Sequence, residues 1–164
     1  HGYVLAYERL TDHAPETEGP RHRLWRIRAR QIVAATGAIE RPLAFAGNDI
    51  PGVLLAAAVR DYAVNFGVSV GDRTVVVTNN DDAYRTAIVL KKAGLDIPAI
   101  IDARSAPEGE LIDEARALGI PIAFGKGIAK VKGGKRVTAV DICTQAGEGA
   151  VLEEISCDCV AKGS

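Results

Sequence analysis

Between Arg73 and Phe124, short apolar runs alternate with longer amphipathic ones. After Phe124, two alternating runs flank Gly133-Gly134-Lys135. The first pattern belongs to strand–helix units, which build parallel sheets through right-handed crossovers, and the second to a hairpin. Two more alternating runs, Gly2 to Arg9 and Arg23 to Arg28, open the chain. Together they predict an α/β protein: a Rossmann-like parallel sheet with flanking helices plus antiparallel β-hairpins.

Taken in order, Tyr3, Leu5 and Tyr7 alternate with Val4, Ala6 and Glu8, the period of a strand. Thr11 to Arg21 is polar and holds Pro15, Gly19 and Pro20, so it reads as the long connection of a hairpin whose second strand carries Trp25 and Ile27. Trp25, Tyr3 and Tyr7 are expected to pack across that hairpin. Ala29 to Ala35 reads as a short apolar strand ending at Thr36-Gly37, and Ala38 to Gly52, with its prolines and glycines, as a connector between domains. Val53 to Phe66 places Leu55, Val59, Tyr62 and Phe66 on one helical stripe, with Gly67 just past its end. Thr74 to Val77 is a β-branched run suited to a buried parallel strand. Asp81 to Ala93 is the next helix, with Lys91-Lys92 at the negative end of its dipole. Ile97 to Asp102 is a strand, Glu108 to Leu118 a helix and Ile120 to Phe124 a strand. Ile128 to Lys132 and Arg136 to Cys143 form a hairpin, Gln145 to Gly149 a turn, and Val151 to Val160 a last strand.

Composition narrows the partners. The 164 residues, 48% hydrophobic, suit one domain or one domain plus part of another. A net charge of -1 without a single-sign block argues against nucleic acid and against an anionic membrane surface. No apolar run nears the ~20 residues of a membrane span, and no signal-peptide pattern is present. Cys143, Cys157 and Cys159 are too few and too irregular for a disulfide framework, which points to a cytoplasmic protein with ordinary thiols. Cys157 and Cys159, two apart, would share a face of a strand. His1, His13 and His22 have no metal-ligand spacing and read as surface residues, and Glu40-Arg41 as a solvated ion pair. No metal site and no catalytic nucleophile system stands out. The chain starts without methionine inside a strand pattern and stops abruptly at 162–164, which suggests a segment of a longer polypeptide.

The turn after Val77 carries the functional argument. A dinucleotide site needs glycines there for a tight turn, for close approach of the pyrophosphate and for helix–strand packing. This chain has Thr78, Asn79, Asn80, Asp81 and Asp82, with Ala83 at the third glycine position. Side chains at Thr78 and Asn80 would fill the phosphate's space. Two aspartates at the helix start would oppose a dianion, and Asn79, Asn80 or Asp81 could cap the helix. Asp102, at the end of the second strand, stands where an acid would bind a ribose, yet without the loop it reads as a solvated strand end.

Several segments resemble the flavoprotein pyridine-nucleotide-disulfide oxidoreductase superfamily. Gln31-Ile32-Val33-Ala34-Ala35-Thr36-Gly37 is similar to its ATG motif, Ile50-Pro51-Gly52 to the crossover that follows, and Val77 to Ala83 to its V-G-G-G-D-S-A pattern, with Asp81 and Ala83 kept. Within that group, YVLAYERLTDH, RLWRIRARQIVAATGAIERPLAFAGNDIPGV and VVVTNNDDAYRTA resemble the alpha subunits of heterotetrameric sarcosine oxidases, along nearly the whole chain. The resemblance implies an inserted NAD(P)-type domain of a flavoprotein with two dinucleotide domains. Residues 1–45 would belong to a partial first domain, 46–144 to the insert, and 145–164 to a strand returning toward the first domain. It implies oxidative demethylation of sarcosine by the full complex, with other subunits of a hetero-oligomeric oxidase as partners, and NAD and flavin as cofactors of that complex. No cofactor is expected on this segment itself. Ala35, Thr36 and Gly37 would border the first domain's cofactor, while Thr78, Asn79 and Asn80 form the degenerate loop. The segment is expected to be catalytically inert. The rival expectations are a self-contained NAD(P)H-binding reductase domain using the turn and Asp102, and a protein-interaction module presenting Tyr3, Val4 and Trp25.

Overall fold

In a computed structural model, residues 2–12, 19–144 and 150–164 are described. His1, His13 and the turn expected at 145–149 lie outside the described residues. The chain divides into two compact units, His1–Ala38 and Ile39–Ser164.

The first unit holds β1 (Tyr3–Arg9) and β2 (His22–Arg28), paired antiparallel with Tyr3 opposite Arg28 and Ala6 opposite Trp25. The expected packing of Trp25 on Tyr3 and Tyr7 does not form. Successive side chains point to opposite faces, and the register puts Trp25 beside Ala6 on the other face. Instead Trp25 Nε1 donates to Glu8 at 2.8 Å, Tyr7 stacks on His22 with centroids 5.3 Å apart, and the Arg26 guanidinium lies over the Tyr3 ring. The expected strand at 29–35 is absent: residues 29–38 have no regular structure and are exposed. A strand exists only through a pairing partner, and none lies beside it among the described residues.

The second unit is a three-layer sandwich. Its central sheet has the order β3-β10-β4-β5-β6, all parallel, where β3 is Val53–Leu55, β4 Thr74–Thr78, β5 Ile100–Asp102, β6 Ile122–Phe124 and β10 Cys159–Gly163. Helices α1 (Ala56–Phe66), α2 (Asp82–Lys92) and α3 (Glu110–Ala117) cover one face. A ribbon of β7 (Lys126–Gly133), β8 (Val137–Thr144) and β9 (Val151–Ser156) covers the other. Strand alternation shares the core between the faces. Val76, Ile100 and Ala161 pack with Tyr84, Leu90 and Ile112 on the helix side, while Val75, Val77, Ile101 and Val160 meet Val131, Val140 and Ile142 of the ribbon. Each fully buried Val, Leu or Ile contributes about 1.5–3 kcal/mol, so β4, with all five residues buried, anchors both layers.

Three expectations change here. Val53–Leu55 forms a short strand, and the helix starts only at Ala56, because β10 offers it a parallel partner. The division between units falls after residue 38, since Leu43, Phe45 and Ile50 of the connector pack against the ribbon-side core. Residues 150–164 supply two strands to this unit. β9 completes the ribbon and β10 fills the gap between β3 and β4, where apolar Val160 and Ala161 are fully buried. The crossing from ribbon to sheet at Cys157–Asp158 also sends Cys157 into the ribbon-side core and Cys159 into the helix-side core. The two thiols therefore do not share a face.

Candidate functional site

In open α/β sheets ligands bind beyond the carboxyl ends of the strands, at the point where the strand order reverses. Here β4 lies between β10 and β5, and its carboxyl end runs into the Thr78–Asp82 turn. The turn is closed by its own side chains. The Thr78 hydroxyl donates to the Asn80 carbonyl at 2.9 Å and accepts the Asn80 N–H at 3.0 Å. The Asn80 side-chain oxygen then accepts the Asp82 N–H at 3.0 Å. These local bonds take the place of glycine as the means of turning the chain. They also occupy N–H groups at the start of α2 that a phosphate would use. Asp81 holds the N-cap position without a side-chain cap bond, and Asn80, one residue earlier, takes the first helical N–H.

The third glycine position shows why a small residue is kept. Ala83 is fully buried. Gly163, at the end of β10, comes so close that a Cβ there would sit 3.0 Å from the Ala83 Cβ, 3.3 Å from the Ala56 Cβ and 2.8 Å from a Glu40 oxygen. Helix and strand thus cross in close contact at Ala83 and Gly163.

Asp102 departs furthest from expectation. It is completely buried, not solvated. Its Oδ1 accepts from the Arg104 N–H at 2.9 Å and the Arg104 Nε at 3.0 Å, and its Oδ2 accepts from Arg104 Nη2 at 2.7 Å and the Tyr84 hydroxyl at 2.7 Å. A carboxylate has about four lone-pair sites, and all four are used. Arg104 reaches on to Asp81, 2.7 Å from Nη1 to Oδ1, and so bridges the β5 end to the α2 start. The hydrogen bonds that Arg104 donates to Asp102, together with that to Asp81, hold its guanidinium even more firmly protonated than usual. Burial, and then the Asp102 hydrogen bond, push the Tyr84 hydroxyl well above its ordinary range, so it stays a donor. Asp82 is likewise paired, with Arg60 at 3.1 Å and Arg85 at 3.4 Å.

Sequence reasoning missed Tyr84 and Arg104. The signal available was spacing: Arg104 follows Asp102 by two, as a fork able to fold back on it, and Tyr84 faces the sheet one position after Ala83. Glu40 was also misread. Its carboxylate accepts the Ala57 N–H at 2.8 Å, satisfying the start of α1 where Leu55 cannot cap. Ala35, Thr36 and Gly37 are exposed in the first unit, apart from regular structure. Thr78, Asn79 and Asn80 do come together at the sheet's carboxyl edge. Among the described residues no group of His, Cys, Asp and Glu could hold a metal ion, and no helix is long and apolar enough to cross a membrane.

Asn79 also borders a cleft of about 350 Å³ on the ribbon side, between the 43–46 connector, the end of β4 and the start of β7.

This arrangement defines the class: an α/β Rossmann-like fold shared with FAD- and NAD(P)-linked oxidoreductases. An FAD-dependent pyridine nucleotide-disulphide oxidoreductase from Desulfovibrio vulgaris superposes with a TM-score of 0.58 at 14% identity, over 85% of this chain and 36% of that one. The thioredoxin reductase of T. acidophilum gives 0.55 at 16% identity, over 78% and 41%. No family model matches the chain. In sequence, the chain is a relative of sarcosine oxidase alpha subunits. It is 39% identical to sarcosine oxidase subunit alpha of Rhizobium meliloti over 95% of its length, and 38% identical to that of Corynebacterium sp. strain P-1 over 93%. The resemblance read from the sequence is borne out. The chain spans 15% of the length of each of these curated relatives.

Proposed function

We propose that this chain is a scaffold segment of a sarcosine-oxidase-like alpha subunit, with a coenzyme-type fold whose own nucleotide site is closed. In that reading the complete enzyme demethylates sarcosine oxidatively, uses NAD and flavin, and assembles from several subunits. Residues 1–38 would then belong to the first dinucleotide domain, with Ala35, Thr36 and Gly37 bordering its cofactor. The second unit would be the inserted domain, catalytically inert and empty of cofactor. Its role is architectural.

The observation that carries the reading is the saturation of Asp102. A ribose hydroxyl needs a free carboxylate oxygen as acceptor, but every lone-pair site of Asp102 is engaged by Tyr84 and Arg104. Arg104 also closes over toward Asp81, across the path from ribose to pyrophosphate. Displacing a buried, charge-assisted network of this kind costs more than a sugar hydroxyl returns. Calorimetric titration of the 164-residue chain with NAD(H) and NADP(H) tests the proposal. No heat of binding at millimolar nucleotide is expected. Micromolar binding that disappears on changing residues 78–80 would show the site to be in use.

A further inference from the structure

We infer that the ribbon-side cleft, which borders the closed nucleotide turn at Thr78 and Asn79, is a binding site for a compact apolar carboxylate. Its volume, about 350 Å³, suits one small molecule. Its walls are mostly apolar, from Leu43, Phe45, Val77 and Ile128, with Thr78, Asn79 and Lys126 as the polar residues and no aspartate or glutamate in the lining. Lys126 forms no ion pair among the described residues. A second amine stands directly behind the wall. Lys162 is buried, with 7% exposure. Its ammonium donates to the Leu43 carbonyl at 3.3 Å and lies 5.3 Å from the centre of the Phe45 ring. An ammonium has three donors, and no carboxylate pairs with this one among the described residues. Two cations of this kind beside an apolar hollow create a positive potential that an anion relieves.

The anion's charge follows from the donors that remain. Phosphates are held by nests of free backbone N–H groups, but at this turn the Asn80 and Asp82 N–H groups are already bonded. A single negative charge on an apolar body matches two amines and the Leu43, Phe45 and Ile128 walls.

The test is titration of the ¹⁵N-labelled 164-residue chain with benzoate, followed by amide shifts. Saturable shifts confined to residues 43–46, 77–79 and 126–129, with a Kd at or below about 1 mM, are expected. Lys126→Gln should weaken binding at least fivefold. Benzyl alcohol, with the same ring and no charge, should bind at least tenfold more weakly to the unaltered chain, a readout that depends on no variant. Absent or scattered shifts, equal binding of benzyl alcohol, or equal occupation of the same amides by inorganic phosphate would each overturn the assignment. An NAD⁺ arm keeps the two proposals apart: shifts at 80–82, outside the cleft lining, would break the closed-turn reading and leave this one standing.

Discussion

Asp102 and Asp158 lie at opposite ends of the parallel sheet, and both use their lone pairs on the protein itself. Asp158 sits at the amino end, just before β10, and accepts the N–H groups of Asp72 and Arg73 at 3.1 and 2.9 Å. It clasps two segments more than eighty residues apart, and it does so so closely that a Cβ on Gly71 would collide with its carboxylate. Asp102 sits at the carboxyl end and accepts only from near neighbours in the fold, Tyr84 and Arg104. The amino end of such a sheet is where structure is fastened, and the carboxyl end is where ligands bind. Asp158 therefore behaves as its position predicts. Asp102 does at the binding end what Asp158 does at the fastening end. The difference teaches that a carboxylate at the carboxyl end of a strand can be taken up by the scaffold when an arginine two residues later folds back on it.

The comparison can be broken most strongly at Asp102. Asp102→Ala leaves a buried tyrosine hydroxyl without its acceptor and the Arg104 guanidinium with Asp81 alone, so a loss of about 3 kcal/mol is expected in urea unfolding. A loss below about 1 kcal/mol would mean that the network is not a fastening. Asp158→Ala removes the acceptor of two backbone N–H groups at a half-buried site, and about 1–2 kcal/mol is expected by the same measurement. An equal or larger loss than at Asp102 would reverse the ranking.

A third test uses the thiols that flank Asp158. Burial, then the neighbouring Cys159 and Asp158, push the Cys157 thiol from 9.0 up to about 12, and burial pushes Cys159 up to about 11. A raised folded value stabilises the native state fully below pH 9, where both states hold the proton, and this is lost as pH rises through 9 toward 12. Above pH 9 stability should fall by up to about 1.4 kcal/mol per pH unit for each thiol. Thermal unfolding from pH 7 to 10.5 checks it: Cys157→Ala should flatten the decline. The smallest effect is expected for Tyr84→Phe, about 1 kcal/mol, because three donors to Asp102 remain. Melting temperature against the unaltered chain reads it.

Much of this molecule is legible in one dimension. The β-branched run Thr74 to Val77 and the amphipathic run from Asp81 to Ala93 define the β4–α2 unit, because the periods of two and 3.6 are local properties. The loss of glycine at Thr78 and Asn80 is legible for the same reason, since a turn's backbone chemistry depends on the residues in it. Gly67 marks the end of α1 because its left-handed conformation, φ 63°, favours glycine.

What remained hidden depends on who the neighbours are. Val53–Leu55 looked helical, and became a strand only because β10 returned beside it from more than a hundred residues away. The run at 29–35 looked like a strand, but a strand needs a partner, and its own composition cannot supply one. Asp102 looked solvated because its burial comes from Tyr84 and Arg104 closing over it, and Glu40 looked like half of an ion pair until the start of α1 was placed against it. The sequence by itself determined the periods, the turn and the missing glycines, since these rest on interactions within a few residues. Only the tertiary structure decided which strands pair and which carboxylates are already taken, because desolvation and hydrogen bonding at those sites are set by groups the chain brings together from far apart.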